Sequence, residues 1–110
     1  MAPITIEAFK HESLNAGFDE VLERHWPAHA VVETHTHAFS VQALVTQGEM
    51  WLTCAGQTLH LTPGSRFELA HGAPHAERYG AEGATYWAAR KSGPLPFLGN
   101  QTQQGNQSQT

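Results

Sequence analysis

His35-Thr36-His37-Ala38-Phe39-Ser40-Val41-Gln42 is the stretch on which the reading of this chain turns. It follows Val31, Val32 and Thr34, and with Thr36 these β-branched residues predict an extended segment. On a strand, residues two apart point to the same face, so Glu33, His35 and His37 project together. His75, arriving on a different strand, can close a metal site from the opposite wall. Neutral imidazoles suit Zn, Fe, Cu and Ni, and a three-histidine site with an open position is reactive rather than purely structural.

Working outward, short strand-like runs recur. Ile4, Ile6 and Ala8 alternate with Thr5, Glu7 and Phe9, which predicts a short first strand. His11 to Glu20 reads as a loop or a weak turn of helix. Val21 to Trp26 fits strand or helix on pattern alone, and Pro27 favours a strand ending in a turn. Phe39 to Gln47 is a run of strand formers ending at Gly48, and Met50 to Cys54 is another. Ala55-Gly56-Gln57 is a hairpin signal, followed by the alternating Thr58 to Thr62. Pro63-Gly64 predicts a tight turn, and Arg66 to Ala70 alternates again. His71-Gly72-Ala73-Pro74 is a second turn, from which His75 opens a strand to Tyr79. Gly80 to Gly83 is expected to turn the chain back into a last strand, Ala84 to Arg90.

Short strands punctuated by Gly and Pro, with no convincing amphipathic helix, indicate an all-β single domain, a barrel or a sandwich. The domain is expected to occupy residues 1–98, with an N-terminal strand and a C-terminal arm in which Pro94 and Pro96 bracket Leu95. Residues 99–110 are polar and aperiodic and read as a disordered tail.

The chain has 110 residues, a formal charge of −4, and more histidines (8) than lysines and arginines together (6). The few cations are scattered, so neither nucleic acid nor an anionic membrane is an expected partner. The single Cys54 cannot form an intramolecular disulfide and lacks basic neighbours in sequence, so it reads as buried filler. No signal peptide or transmembrane-length apolar stretch is visible, and a cytoplasmic location is expected.

His35-Thr-His37, with Gln42 and Gly48 after it, resembles the first motif of the cupin superfamily. In that motif HxH is followed after three or four residues by glutamate, and later by glycine. Pro63-Gly64 and Gly72-Ala73-Pro74-His75 resemble the second motif. The resemblance spans Val21 to Arg90, with the motif separation of the shortest single-domain cupins. It implies a double-stranded β-helix, a jelly-roll barrel with a metal inside one end, and commonly a homodimer. The implied ligands are His35, His37, Gln42 and His75, holding one divalent transition metal per chain: Fe, Zn, Ni, Cu or Mn. Gln42 stands where the family has glutamate, and Tyr79 where it often has asparagine. A neutral glutamine leaves the ion's charge uncompensated, which disfavours Mn and favours an anionic ligand at the open position.

Strand parity nominates Glu77 and Tyr79, on the face of His75, as a general base or supporting partner and as a hydrogen-bond donor. His71 is placed at the barrel mouth as a group for substrate contact or proton transfer. Met50, Leu52 and Cys54 form one alternating set and Trp51 and Thr53 the other, one of which lines the barrel. Trp26, Trp51 and Trp87 read as core or interface residues. Two functions are compatible with this sequence. One is a metalloenzyme acting on a small oxygenated substrate by dioxygenase-like, isomerase or cyclase chemistry. The other is a ligand-binding module, because Ala43 to His75 also resembles the sensor barrel of arabinose-type regulators, here without a helix-turn-helix segment.

Overall fold

Two glycines that come into backbone contact give the molecule its shape. The computed structural model describes residues 4–94. Its elements are α1 (Ile6–Asn15), β1 (Glu20–Trp26), β2 (Val31–His35), β3 (Phe39–Cys54), β4 (Gln57–Leu61), β5 (Arg66–Leu69) and β6 (His75–Ser92). The long strands β3 and β6 pair antiparallel from Phe39↔Ser92 to Cys54↔His75. The ladder slips between Val45 and Gln47 and again between Gly48 and Met50. A Cβ added at Gly48 would lie 2.1 Å from the carbonyl oxygen of Gly83, and one added at Gly83 would lie 2.1 Å from that of Trp26. Both glycines hold positive φ, +81° and +69°. Only glycine combines that conformation with so close an approach.

This bend divides one six-stranded sheet into two walls. The first contains β1, the C-terminal half of β6, the N-terminal half of β3, and β5. The second contains β2, the N-terminal half of β6, the C-terminal half of β3, and β4. Apolar side chains from both walls, among them Val41, Val45, Met50, Leu52 and Phe67, fill the space between them. The architecture is the expected all-β double-stranded β-helix.

Two expectations change. The strands read at 39–47 and 50–54 are one strand, as are those read at 75–79 and 84–90. The segment from Gly80 to Gly83 does not reverse the chain. Its glycines permit a bend and a close crossing, and Ala84 goes on to pair with both Trp26 and Gly48.

The N-terminal segment is a helix, not a strand. The Thr5 hydroxyl caps it by accepting from the Ala8 amide at 3.1 Å, and Glu7 supplies a favourable charge in the first turn. Phe9 and Ser13, four residues apart, form its buried face. A short alternation from Ile4 to Phe9 is as compatible with that spacing as with a strand. Phe9 docks with Phe18, Leu44 and Ala89 on the outer side of the first wall. Helix α1 therefore covers an apolar sheet face that water would otherwise meet.

Met50 and Leu52 point inward, with Cys54 packed against the same core. Trp51 points outward between the Arg78 guanidinium, 4.2 Å from its ring centre, and the His60 ring at 4.9 Å. The expected arm falls mostly, and the polar tail wholly, outside the described residues. Among the described residues, no helix is long and apolar enough to cross a membrane.

Substituting alanine at Gly83 combines left-handed backbone strain with a backbone clash, and is expected to cost about 3 kcal/mol or more. Gly56 has φ +80° but nothing within 4 Å of an added Cβ. Gly56→Ala should therefore cost only about 1 kcal/mol. Denaturant unfolding of the two variants checks the contrast, and equal losses would contradict the close-contact role of Gly83.

Candidate metal centre

His35 closes β2 and pairs across the ladder with His75, the first residue of β6. The loop bearing His37 is tied to the turn before His75 by a bond from the Gly72 amide to the His37 carbonyl, 2.7 Å. Ser40 strengthens that tie: its hydroxyl accepts from the His71 amide at 3.0 Å and donates to the Gly93 carbonyl at 2.6 Å. The three imidazoles thus converge from separate backbone segments. Ring centres are 4.3 Å apart for His35 and His75, 4.7 Å for His37 and His75, and 4.9 Å for His35 and His37. One ligand nitrogen from each lies within 4.8 Å of the others.

The backbone sets the tautomers. His35 Nδ1 is 2.8 Å from the Glu33 carbonyl oxygen, and His75 Nδ1 is 2.9 Å from that of Ala73. A carbonyl can only accept, so each Nδ1 carries the proton, and in the neutral ring the Nε2 presents a lone pair. His75 Nε2 is buried and has no hydrogen-bond partner among the described residues. Burial, reinforced by His75 and His35, lowers the pKa of His37 to about 4. Burial also lowers that of His75, outweighing the opposing bond to Ala73. Both rings are therefore neutral near pH 7, the form able to bind a metal.

Glu77 follows His75 on the inward face of β6 and is 8% exposed. Its Oε2 lies 3.6 Å from His75 Nε2 and 3.9 Å from His35 Nε2. Its Oε1 accepts a hydrogen bond from the Tyr79 hydroxyl. Tyr79 stacks on Trp26 at 5.4 Å, and burial raises its pKa strongly. It is a donor fixed in place, not an acid or base in contact with solvent.

Beside this cluster opens a mostly apolar cavity of about 180 Å³. Its walls include Trp26, Phe39, Val41, Tyr86, Arg24 and Arg90, with His35, His37 and Glu77 at one side. Arg90 is held by Glu20 through bonds of 2.6 and 3.0 Å. Arg24 lies over the Trp26 ring at 5.6 Å and forms no ion pair among the described residues. The Trp26 indole donates to the Tyr86 hydroxyl at 3.3 Å.

The structure thus brings together His35, His37, His75, Glu77 and Tyr79; neither Gln42 nor His71 lines the cavity. Along β3, Phe39 and Val41 line the cavity, and Ala43 and Val45 continue into the core on that face. Gln42 alternates with them and shares the outward parity of Leu44, which packs under α1. The motif's glutamate follows HxH after three or four residues. Counting four selects Gln42, whereas the fold places the residue counted by three, Val41, in the wall. A one-residue difference on a strand exchanges faces. His71 is exposed, and what it contributes is its backbone amide in the turn.

Sequence periodicity does not single out Tyr86, Arg24 or Arg90, and it marks Trp26 only as a core or interface residue. Parity through β6 is the reason for Tyr86. Inward residues are odd-numbered at His75, Glu77 and Tyr79 and even-numbered at Ala84, Tyr86 and Ala88. The bend at Gly80 to Gly83 switches them.

Compared with known families, residues 19–107 match the AraC-like ligand binding domain family. No curated protein matches the sequence. Among solved structures, KdgF from a Halomonas species is similar at 19% identity and a TM-score of 0.60, over 66% of each chain. An RmlC-like cupin from Shewanella frigidimarina is similar at 19% identity and a TM-score of 0.58, over 66% of this chain and 65% of that one. The DMSP lyase DddQ from Ruegeria pomeroyi is similar at 20% identity and a TM-score of 0.61, over 66% of this chain and 37% of that one. The match spans less than two thirds of each of these proteins. At such identities the likeness is one of fold.

Because Gln42 shares the outer face of β3, Gln42→Ala is expected to leave zinc affinity unchanged in competition with a chromophoric chelator. A loss of about tenfold or more would place Gln42 at the cluster.

Proposed function

The chain belongs to the AraC-like ligand binding domain family, and on that footing we propose that it is a small cupin barrel binding a small oxygenated molecule at one divalent transition-metal ion. His35, His37 and His75 would hold the ion. The observation that carries this reading is the buried Nε2 of His75, without a hydrogen-bond partner among the described residues and close to two more imidazoles. An orphaned buried nitrogen is costly unless something electron-poor meets it. The donor set fits Zn, Fe, Ni or Cu better than a purely oxygen-seeking ion.

When bound, such an ion supplies Lewis acidity toward a carbonyl or enolate oxygen and, if it is iron, access to dioxygen chemistry. The protein's own contributions follow from the cavity. Its volume, about 180 Å³, is below the roughly 300–1,000 Å³ typical of drug-sized sites. Apolar walls at Phe39, Val41 and Trp26 exclude water from a compact substrate. Burial raises the Tyr86 pKa, so its hydroxyl stays protonated and able to donate to a substrate oxygen. The Arg24 guanidinium, without an ion-pair partner among the described residues, favours an acidic or strongly polar substituent in the cavity. A metal-dependent enzyme on a small oxygenated acid, enol or diketone is the reading this arrangement supports best.

The family match favours a second reading, in which the same cavity binds its ligand without turnover, as a sensor barrel does. Steady-state conversion of a ligand that raises the melting temperature supports the enzyme; binding without conversion supports the sensor.

Elemental analysis of untagged protein, purified without added metal, tests the common premise. About one transition-metal ion per chain is expected in the wild type and almost none in the His35→Ala/His75→Ala double variant. Wild type that stays metal-free after incubation with Fe, Zn, Ni and Cu would contradict it.

A further inference from the structure

The acceptor side of the cluster contains more than three imidazoles. Glu77 Oε2 faces His75 Nε2 at 3.6 Å and His35 Nε2 at 3.9 Å. The proton on each Nδ1 is already committed to a backbone carbonyl. Two lone pairs and a carboxylate oxygen therefore point at one another, buried on the His75 and Glu77 side and half-buried at His35, with no donor between them among the described residues. The Glu77 side chain is 8% exposed and the His75 side chain 1%. Electrostatically this is unfavourable unless a cation lies at the point where the three meet.

The distances suit an ion. Ligand atoms 2.0–2.1 Å from a tetrahedral centre lie about 3.3–3.4 Å from each other. Closing the two Glu77 separations to that value takes roughly 0.2 to 0.6 Å, within the reach of side-chain adjustment.

We propose that Glu77 is the carboxylate ligand of this centre, contributed by β6 in place of the glutamate that the motif carries on β3. This inference rests on the three-histidine reading and completes it. Val41 occupies the inward position of β3 and cannot ligate. The negative charge that the site lacks on that strand is available two residues after His75. Tyr79 is the positioning residue. Its hydroxyl bonds to Glu77 Oε1, which orients the carboxylate so that Oε2 turns to the imidazoles. Trp26, stacked on Tyr79, holds the phenol from its other side. The Glu77 carboxylate also halves the formal charge of a divalent ion. A centre of three imidazoles and one carboxylate accepts harder ions, including Mn and Fe(II), that three neutral ligands alone hold poorly.

The test uses the full-length untagged protein, Zn(II) and Mn(II) as probes, and two readouts. Competition with a chromophoric chelator gives affinities for wild type, Glu77→Gln and Tyr79→Phe. Infrared difference spectra, metal-loaded minus metal-free, report whether a carboxylate stretch shifts when the ion binds. Glu77→Gln is expected to lower Zn(II) affinity on the order of 100-fold, to lower Mn(II) affinity further, and to abolish the carboxylate shift. Tyr79→Phe should lower affinity by about tenfold while keeping the shift, the signature of a residue that acts through Glu77. Metal bound by the wild type with no carboxylate shift would overturn the assignment of Glu77 and leave the histidine centre standing. Wild type that takes up neither ion would overturn both. If Glu77→Gln fails to fold, the wild-type spectrum alone still decides.

Discussion

The approach of Gly48 to Gly83, and of Gly83 to Trp26, is the contact on which the rest of the molecule depends. Each long strand passes from one wall of the barrel to the other at that crossing. Without it, β3 and β6 would continue as an open ribbon with no enclosed interior. With it, the half of β6 that carries His75, Glu77 and Tyr79 stands against β2 and its His35, while the other half carries Tyr86 and Arg90 along the cavity. The close crossing makes the barrel, and the barrel makes the site.

Once formed, the barrel holds its polar groups in a particular state. Backbone carbonyls at Glu33 and Ala73 take the Nδ1 protons of His35 and His75, and burial keeps His37 and His75 neutral. Nothing in this geometry asks His37 or His75 to carry charge. They are arranged as acceptors, and Glu77 is turned toward them by a buried tyrosine. Helix α1 takes no part in the site. It covers the opposite face of the first wall, which frees the inner face to be built around the cavity.

Much of this was legible in the residues because strand periodicity is short. His35 and His37 two apart, the turns at Pro63-Gly64 and Gly72-Ala73-Pro74, and the third histidine after them suffice to bring three imidazoles together. Glu77 and Tyr79 follow from the same parity. Legibility ended where periodicity was ambiguous or interrupted. Gln42 and Val41 differ by one position, and a strand assigns neighbours to opposite faces, so a motif with a variable gap could not choose between them. Tyr86 lies beyond a glycine bend that reverses parity, and no local pattern announces that reversal. The helix is not legible because Ile4 to Phe9 alternates over too short a run to exclude helical spacing. The Thr5 cap ahead of Phe9 and Ser13 was the available signal.

The central claim is that a divalent ion lies where these acceptors meet. X-ray absorption at the zinc edge of stoichiometrically loaded protein measures that directly. The account predicts imidazole scattering from three histidines at about 2.0–2.1 Å with an additional oxygen at similar distance. A spectrum with oxygen neighbours only, and no imidazole scattering, would mean that the ion binds elsewhere and would contradict the account.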